Sequence, residues 1–268
     1  MPVSSNVRPL KMPHQTIMLR KFTLPKQELA KLSGADRQLF FLSGHILNEL
    51  NSLNKVFSWC LHSGSESPSK TRNVAQGMQS MIYARVLAGK LWEAWEALRT
   101  TWFASKPSPL LEQRLHQDSA AALAEIKKYF IHSNLIFDVR NSFAFHYSAT
   151  KLAENWETVA DGDGLQIVLG GTIGNNIDLA AETIANAALF NAAGGADLEA
   201  GMAKFLDEVQ TMTSHLTTFL EGITLVFLQV IFGANFSAKA TEEEIGVELS
   251  FAKVQIPYFC APDHAEEA

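Results

Sequence analysis

Residues 197–232 read DLEAGMAKFLDEVQTMTSHLTTFLEGITLVFLQVIF, and the spacing of the apolar side chains in this stretch decides the fold. Met202, Phe205, Val209, Met212, Leu216, Leu220, Ile223, Phe227 and Val230 recur at intervals of three and four. One apolar seam therefore runs for about nine turns of a single helix. Asp197, just ahead of the first apolar residue, is suited to cap its N-terminus. The most apolar part, residues 222–236, is interrupted by Gln229 and preceded by Glu221. It is shorter than the roughly 20 apolar residues that span a bilayer. A buried core helix is expected, with no membrane partner.

The pattern extends upstream. Leu39, Leu42, Ile46, Leu50, Leu53, Phe57 and Cys60 form a similar stripe over 35–62, with Asn48, Asn51, Asn54 and Lys55 on the other side. Gly64 and Pro68 end it. A second long helix is expected over 70–104, with Met81, Ala84, Ala88, Leu91, Trp95, Leu98 and Trp102 as its seam. Trp92, Trp95 and Trp102 could suggest a stacking platform, but at helical spacing they read as core. Pro107 and Pro109 precede a further helix over 110–129, and another follows over 178–192, closed by Gly194-Gly195. Between them, Gly170-Gly171 flanked by β-branched residues reads as the turn of a hairpin near 165–175. Residues 247–259 alternate as a strand does. The fold class expected is mainly α: an antiparallel bundle of long helices with a small β-hairpin insertion. Its expected divisions are a flexible, proline-rich arm over 1–24, the bundle over 25–236 and a tail over 237–268.

Composition narrows function. The chain has 268 residues, 47% of them hydrophobic, and a formal net charge of -6. That acidity argues against a protein that binds nucleic acid through bulk positive charge, though not against a local basic site. Cys60 and Cys260 are its two cysteines, far apart and in no CxxC pair, which disfavours a disulfide framework or a cysteine-based zinc site. The N-terminal residues carry no long apolar run, so a cytoplasmic protein is expected. No GxxxxGK[ST], HExxH or GxSxG occurs. Asp161 and Asp163 begin like a calcium loop, but Leu165 and Thr172 stand where further ligands belong. No metal and no cofactor is expected.

The stretch with chemical content is Asp138-Val-Arg-Asn-Ser-Phe-Ala-Phe-His-Tyr147. Arg140 is followed by the polar Asn141 and, after four further residues, by His146. Arg8 and His14 share the spacing, but in a proline-rich segment without helical context. Arg140 and His146 are instead framed by Phe143 and Phe145 and follow several helices. The motif resembles the signature of the HEPN superfamily: an arginine, usually a polar residue next to it, and a histidine after four to six intervening positions. That resemblance implies a helical fold. It further implies a metal-independent endoribonuclease acting on RNA, or a relative that has lost activity and serves as a binding or scaffolding module for a protein or nucleotide partner. In the family the motifs of two protomers meet across a dimer interface, so a homodimer is expected.

The chemistry fits these residue types. RNA can be cut when its 2′-hydroxyl loses a proton and attacks the adjacent phosphorus. An imidazole can exchange that proton near neutral pH, giving His146 the role of general base or acid. The guanidinium fork of Arg140 can hold the phosphate and stabilise charge in the transition state. Asn141 and Tyr147 would contact substrate. Six steps along an ideal helix, however, turn through about 600°, which separates Arg140 and His146 onto different faces. Either the helix is irregular here or two chains build the site. The structural alternative is that Arg140 pairs with Asp138 or another carboxylate, His146 is a satisfied residue between helices, and Phe143 and Phe145 are core.

Overall fold

The computed structural model describes residues 15–62, 68–104, 108–157, 159, 165–195, 197–247 and 249–261. The expected turn at Asp161–Gly164 and the first part of the N-terminal arm lie outside them. The protein is mainly α-helical. Helix α9 (Leu198–Phe232) runs through its middle, and α2 (Gly34–His62), α3 (Lys70–Thr101), α5 (Gln117–Phe130) and α8 (Leu179–Gly194) pack around it. α9 is buried on more than its predicted seam. Phe205, Val209, Leu216, Phe219, Leu220 and Ile223 are fully enclosed, while Met202 and Val230 at the two ends of the seam are exposed. A helix surrounded on several sides needs apolar residues beyond one stripe, and each large side chain so buried contributes about 1.5–3 kcal/mol. By length and composition α9 is the one described helix able to cross a membrane; half of its most apolar window is buried inside the bundle.

Caps and small residues set the helix ends and spacings. The Asp197 carboxylate accepts from Ala200 N at 3.0 Å, and Asp178 caps α8 in the same way through Ala181 N. Gly195, with φ of 74°, ends α8 in a conformation that disfavours a side chain. α8 and α9 then pack so closely that a β-carbon on Gly201 would overlap the Phe190 carbonyl. Trp95 and Trp102 are core, as their spacing predicts; Trp95 stacks on Phe130 with centroids 5.2 Å apart. A partly buried ion pair, Arg85 to Glu182 at 2.6 Å, ties α3 to α8.

Four expectations need correction. The helix predicted over 110–129 is two: α4 (Ser108–Glu112) and α5. Glu112 there bonds Trp102 Nε1 and Lys127 Nζ, and the His116 imidazole caps α5 through Asp118 N. The hairpin near 165–175 is wider than predicted: β2 (Ile167–Val168) pairs with β3 (Ile177–Asp178), and Ile173–Asn175 is a 3₁₀ turn. Gly170 N donates to the Asn176 side chain instead of entering a ladder. The C-terminal strand lies earlier than predicted. β4 is Thr241–Val247, and Phe251–Lys253 forms a 3₁₀ turn. Lastly, residues read as part of an N-terminal arm form β1 (Gln15–Lys21), antiparallel to β4, with Arg20 and Lys21 paired to Glu242 and Glu243. Alternation is a weak signal where both faces of a two-stranded ribbon meet solvent, so nothing in the apolar pattern fixed this pairing.

Candidate functional site

Asn134 begins the motif segment. Its side chain accepts from Phe137 N at 2.9 Å and caps the short helix α6 (Leu135–Val139). Ile136 and Val139 are fully buried and seat α6 against the core, while Phe137 reaches Trp92 on α3 with centroids 4.7 Å apart. Arg140 would be the next helical residue, but from Arg140 to Ala144 the backbone widens into one turn of π-helix. The chain then leaves the helix, and Ser148 N donates to Ser142 O, closing a loop that leads into α7 (Ala149–Trp156). Such single π turns recur at functional sites.

This irregularity answers the geometric objection. Arg140 Nη1 lies 3.4 Å from His146 Nε2, within one chain. Arginine can only donate, so this contact is a hydrogen bond only where Nε2 is the acceptor. Arg140 Nη1 also donates to Asn141 Oδ1 at 2.9 Å, and Arg140 Nε donates to Glu93 Oε1 at 2.9 Å. The carboxylate that pairs with Arg140 is therefore Glu93 on α3 and not Asp138. His146 is exposed, and Arg140 retains 30% exposure. Among the described residues no protein group bonds Arg140 Nη2, so one edge of the guanidinium is open to an incoming anion. Tyr147, next to His146 in sequence, is 97% exposed, an unpacked aromatic ring. Phe143 is half-buried against the core, and Phe145 is 40% exposed, so only the first behaves as a core residue.

Two residues on α3 complete the site and were not anticipated from sequence. Gly89 and Glu93 stand four apart, hence on one face of the helix. Glu93 meets Arg140, and Gly89 lets the end of the π turn approach α3: a β-carbon there would lie 2.8 Å from Phe145 Cε2. The motif segment thus runs antiparallel to α3, anchored at both ends. A glycine one turn before a glutamate in the interior of a long helix was the available signal. Among the described residues no group of His, Cys, Asp and Glu has the arrangement of a metal site.

The arrangement can do two things chemically. A fixed guanidinium with a free edge can bind a phosphate, and an exposed imidazole next to it can exchange a proton at the same phosphate. Against this, Glu93 offsets the positive charge of Arg140 locally. No family model, curated protein or solved structure matches this chain.

Proposed function

We propose that this protein is a HEPN-like, metal-independent endoribonuclease that works as a homodimer, with Arg140 and His146 of two copies forming one composite site. The observation that carries this reading is the contact between Arg140 and His146 made by the π turn, with both side chains open to solvent. An arginine and a histidine six residues apart on a helix need an irregular backbone to meet, and here they meet with the imidazole exposed.

Cleavage without a metal needs a base for the 2′-hydroxyl and an acid for the departing 5′-oxygen. One copy offers one suitable imidazole, and a second copy supplies the other. The 2′-oxygen bonds to phosphorus as its proton passes to one His146. The bond from phosphorus to the 5′-oxygen breaks, and that oxygen takes a proton from the protonated His146 of the other copy. Arg140 holds the phosphate through its free edge, Asn141 steadies the guanidinium, and Tyr147 offers a ring on which an unpaired base can stack. The products are a 2′,3′-cyclic phosphate and a 5′-hydroxyl.

A second reading, a non-catalytic helical module that binds a protein or nucleotide, draws support from the internal bonds of Arg140 to Glu93 and Asn141. Incubation with mixed single-stranded RNA in excess EDTA separates the two. The enzyme reading expects cyclic phosphate ends from the wild type and a loss of about 100-fold or more in Arg140→Ala and His146→Ala chains of unchanged melting temperature. Equal background from all three chains would leave only the binding module.

A further inference from the structure

On another part of the bundle, α3, α8 and α9 enclose a groove of about 560 Å³, within the range of small-molecule sites. Its walls include Val74, Met78, Met81, Phe190 and Leu206, and its rim carries Leu61, Leu198 and Met202, all three exposed. Two features set it apart from an accidental gap in packing.

The first is Gly77, in the interior of α3. A β-carbon there would meet nothing within 4 Å, so no neighbour demands a glycine. Glycine weakens a helix interior relative to almost any other residue. What its missing side chain does here is keep the groove open. The second is Asn186 on α8, which lines the same groove and is only 5% exposed. Its Oδ1 has no hydrogen-bond partner, and its Nδ2 faces only the thioether of Met78 at 3.1 Å, a weak acceptor. A buried amide among apolar side chains without full partners is costly. A ligand that supplied the partner would remove that cost. Met78, which lies against the amide, and Met202 at the rim have the rotameric freedom to admit one.

We propose that this groove binds a neutral, largely apolar small molecule carrying one hydroxyl group, which bonds to the Asn186 amide. A hydroxyl both donates and accepts, so it satisfies the amide in either orientation. A carboxylate or an ammonium is excluded by charge, because no ionised side chain among the groove's deep residues would compensate its desolvation. Glu199 is the single charged residue in the lining. The site is independent of the Arg140 and His146 chemistry.

The test uses n-octanol as probe on the full chain, with isotope-labelled methionine methyl groups observed by NMR. Saturable shifts are expected at Met78, Met81 and Met202 and none at Met18. Gly77→Leu places a side chain at the groove where a β-carbon meets no neighbour, and should weaken n-octanol binding about tenfold or more while the protein stays folded. The parent should prefer n-octanol over its methyl ether about tenfold, the worth of one hydrogen bond, and Asn186→Leu should erase that preference. Absence of saturable shifts in the parent, undiminished binding by Gly77→Leu, or a hydroxyl preference surviving in Asn186→Leu would each overturn the proposal.

Discussion

Gly89 and Phe145 are in contact across the surface where α3 meets the motif segment: a β-carbon on Gly89 would stand 2.8 Å from Phe145 Cε2 and 2.9 Å from Ala144 Cβ. Gly89→Ala is the least change that tests whether this approach sets the site. In a helix interior the substitution gains up to about 1 kcal/mol of propensity, and the overlap costs about 1–3 kcal/mol. Phe145 is partly exposed, so its ring can swing away. Global stability, read from urea unfolding, should fall by no more than about 2 kcal/mol. The π turn and His146 should move with the ring, and RNA cleavage should fall by at least about tenfold. Activity retained in full would mean that Arg140 and His146 meet without help from α3.

Glu93→Gln separates the two roles open to this carboxylate. The Arg140–Glu93 ion pair is partly solvated, with the side chains 30% and 45% exposed. Its loss should change stability by less than about 1 kcal/mol. The carboxylate competes with any phosphate for the guanidinium, so its neutralisation should tighten RNA binding severalfold at low salt, with the gain shrinking as salt rises. Fluorescence anisotropy with a labelled single-stranded RNA reads this directly. Weaker binding instead would identify Glu93 as the group that holds the fork in its working orientation.

The Tyr129 hydroxyl donates to Glu208 Oε2 at 2.5 Å, joining α5 to α9. Burial, first, and the Glu208 carboxylate, second, push the Tyr129 phenol well above its ordinary value. Below the ordinary phenol range, near pH 10, folded and unfolded chains both hold this proton, and it contributes no pH dependence. Above it, the unfolded chain releases the proton and the folded chain does not, so stability is lost as pH rises. Tyr129→Phe should cost about 1–2 kcal/mol at pH 7, where Glu208 loses its donor. The variant should also lose part of the alkaline decline seen in the wild type. Parallel stability curves of the two chains from pH 9 to 11 would refute this assignment.

What the sequence discloses follows from the physics of each element. The long helices are legible because burial against several neighbours imposes a spacing of three and four on Leu39 to Cys60 and on Phe205 to Phe227, and Asp197 marks the start of the second. The ribbon of β1 and β4 is not, because strands exposed on both faces carry no such requirement. The break between α4 and α5 depends on Glu112 reaching Trp102 and Lys127, contacts between residues that no local pattern announces. Within the site, Arg140, Asn141 and His146 are legible as a motif, yet their contact is not. Regular helix geometry predicts that they part, and the π turn reverses that prediction. Its support, Gly89 and Glu93, lies about fifty residues away on another helix, reachable only through the tertiary fold.

The requirement for two imidazoles makes a quantitative prediction about mixtures. Suppose wild-type chains are unfolded and refolded together with an equal amount of His146→Ala chains, so that protomers pair at random. If each reaction needs one His146 as base and the other as acid, only dimers of two wild-type chains cut RNA, and total activity falls to about a quarter of that of an all-wild-type sample of the same total protein. If a single copy holds the whole site, the activity falls only to about a half, in proportion to the wild-type chain present. The Arg140→Ala chain extends the comparison. In a composite site it still contributes an imidazole, so a wild-type and Arg140→Ala pair should retain more activity than a wild-type and His146→Ala pair. Linear dependence on the wild-type fraction for both variants would remove the second copy from the chemistry and leave His146 to act alone beside Arg140.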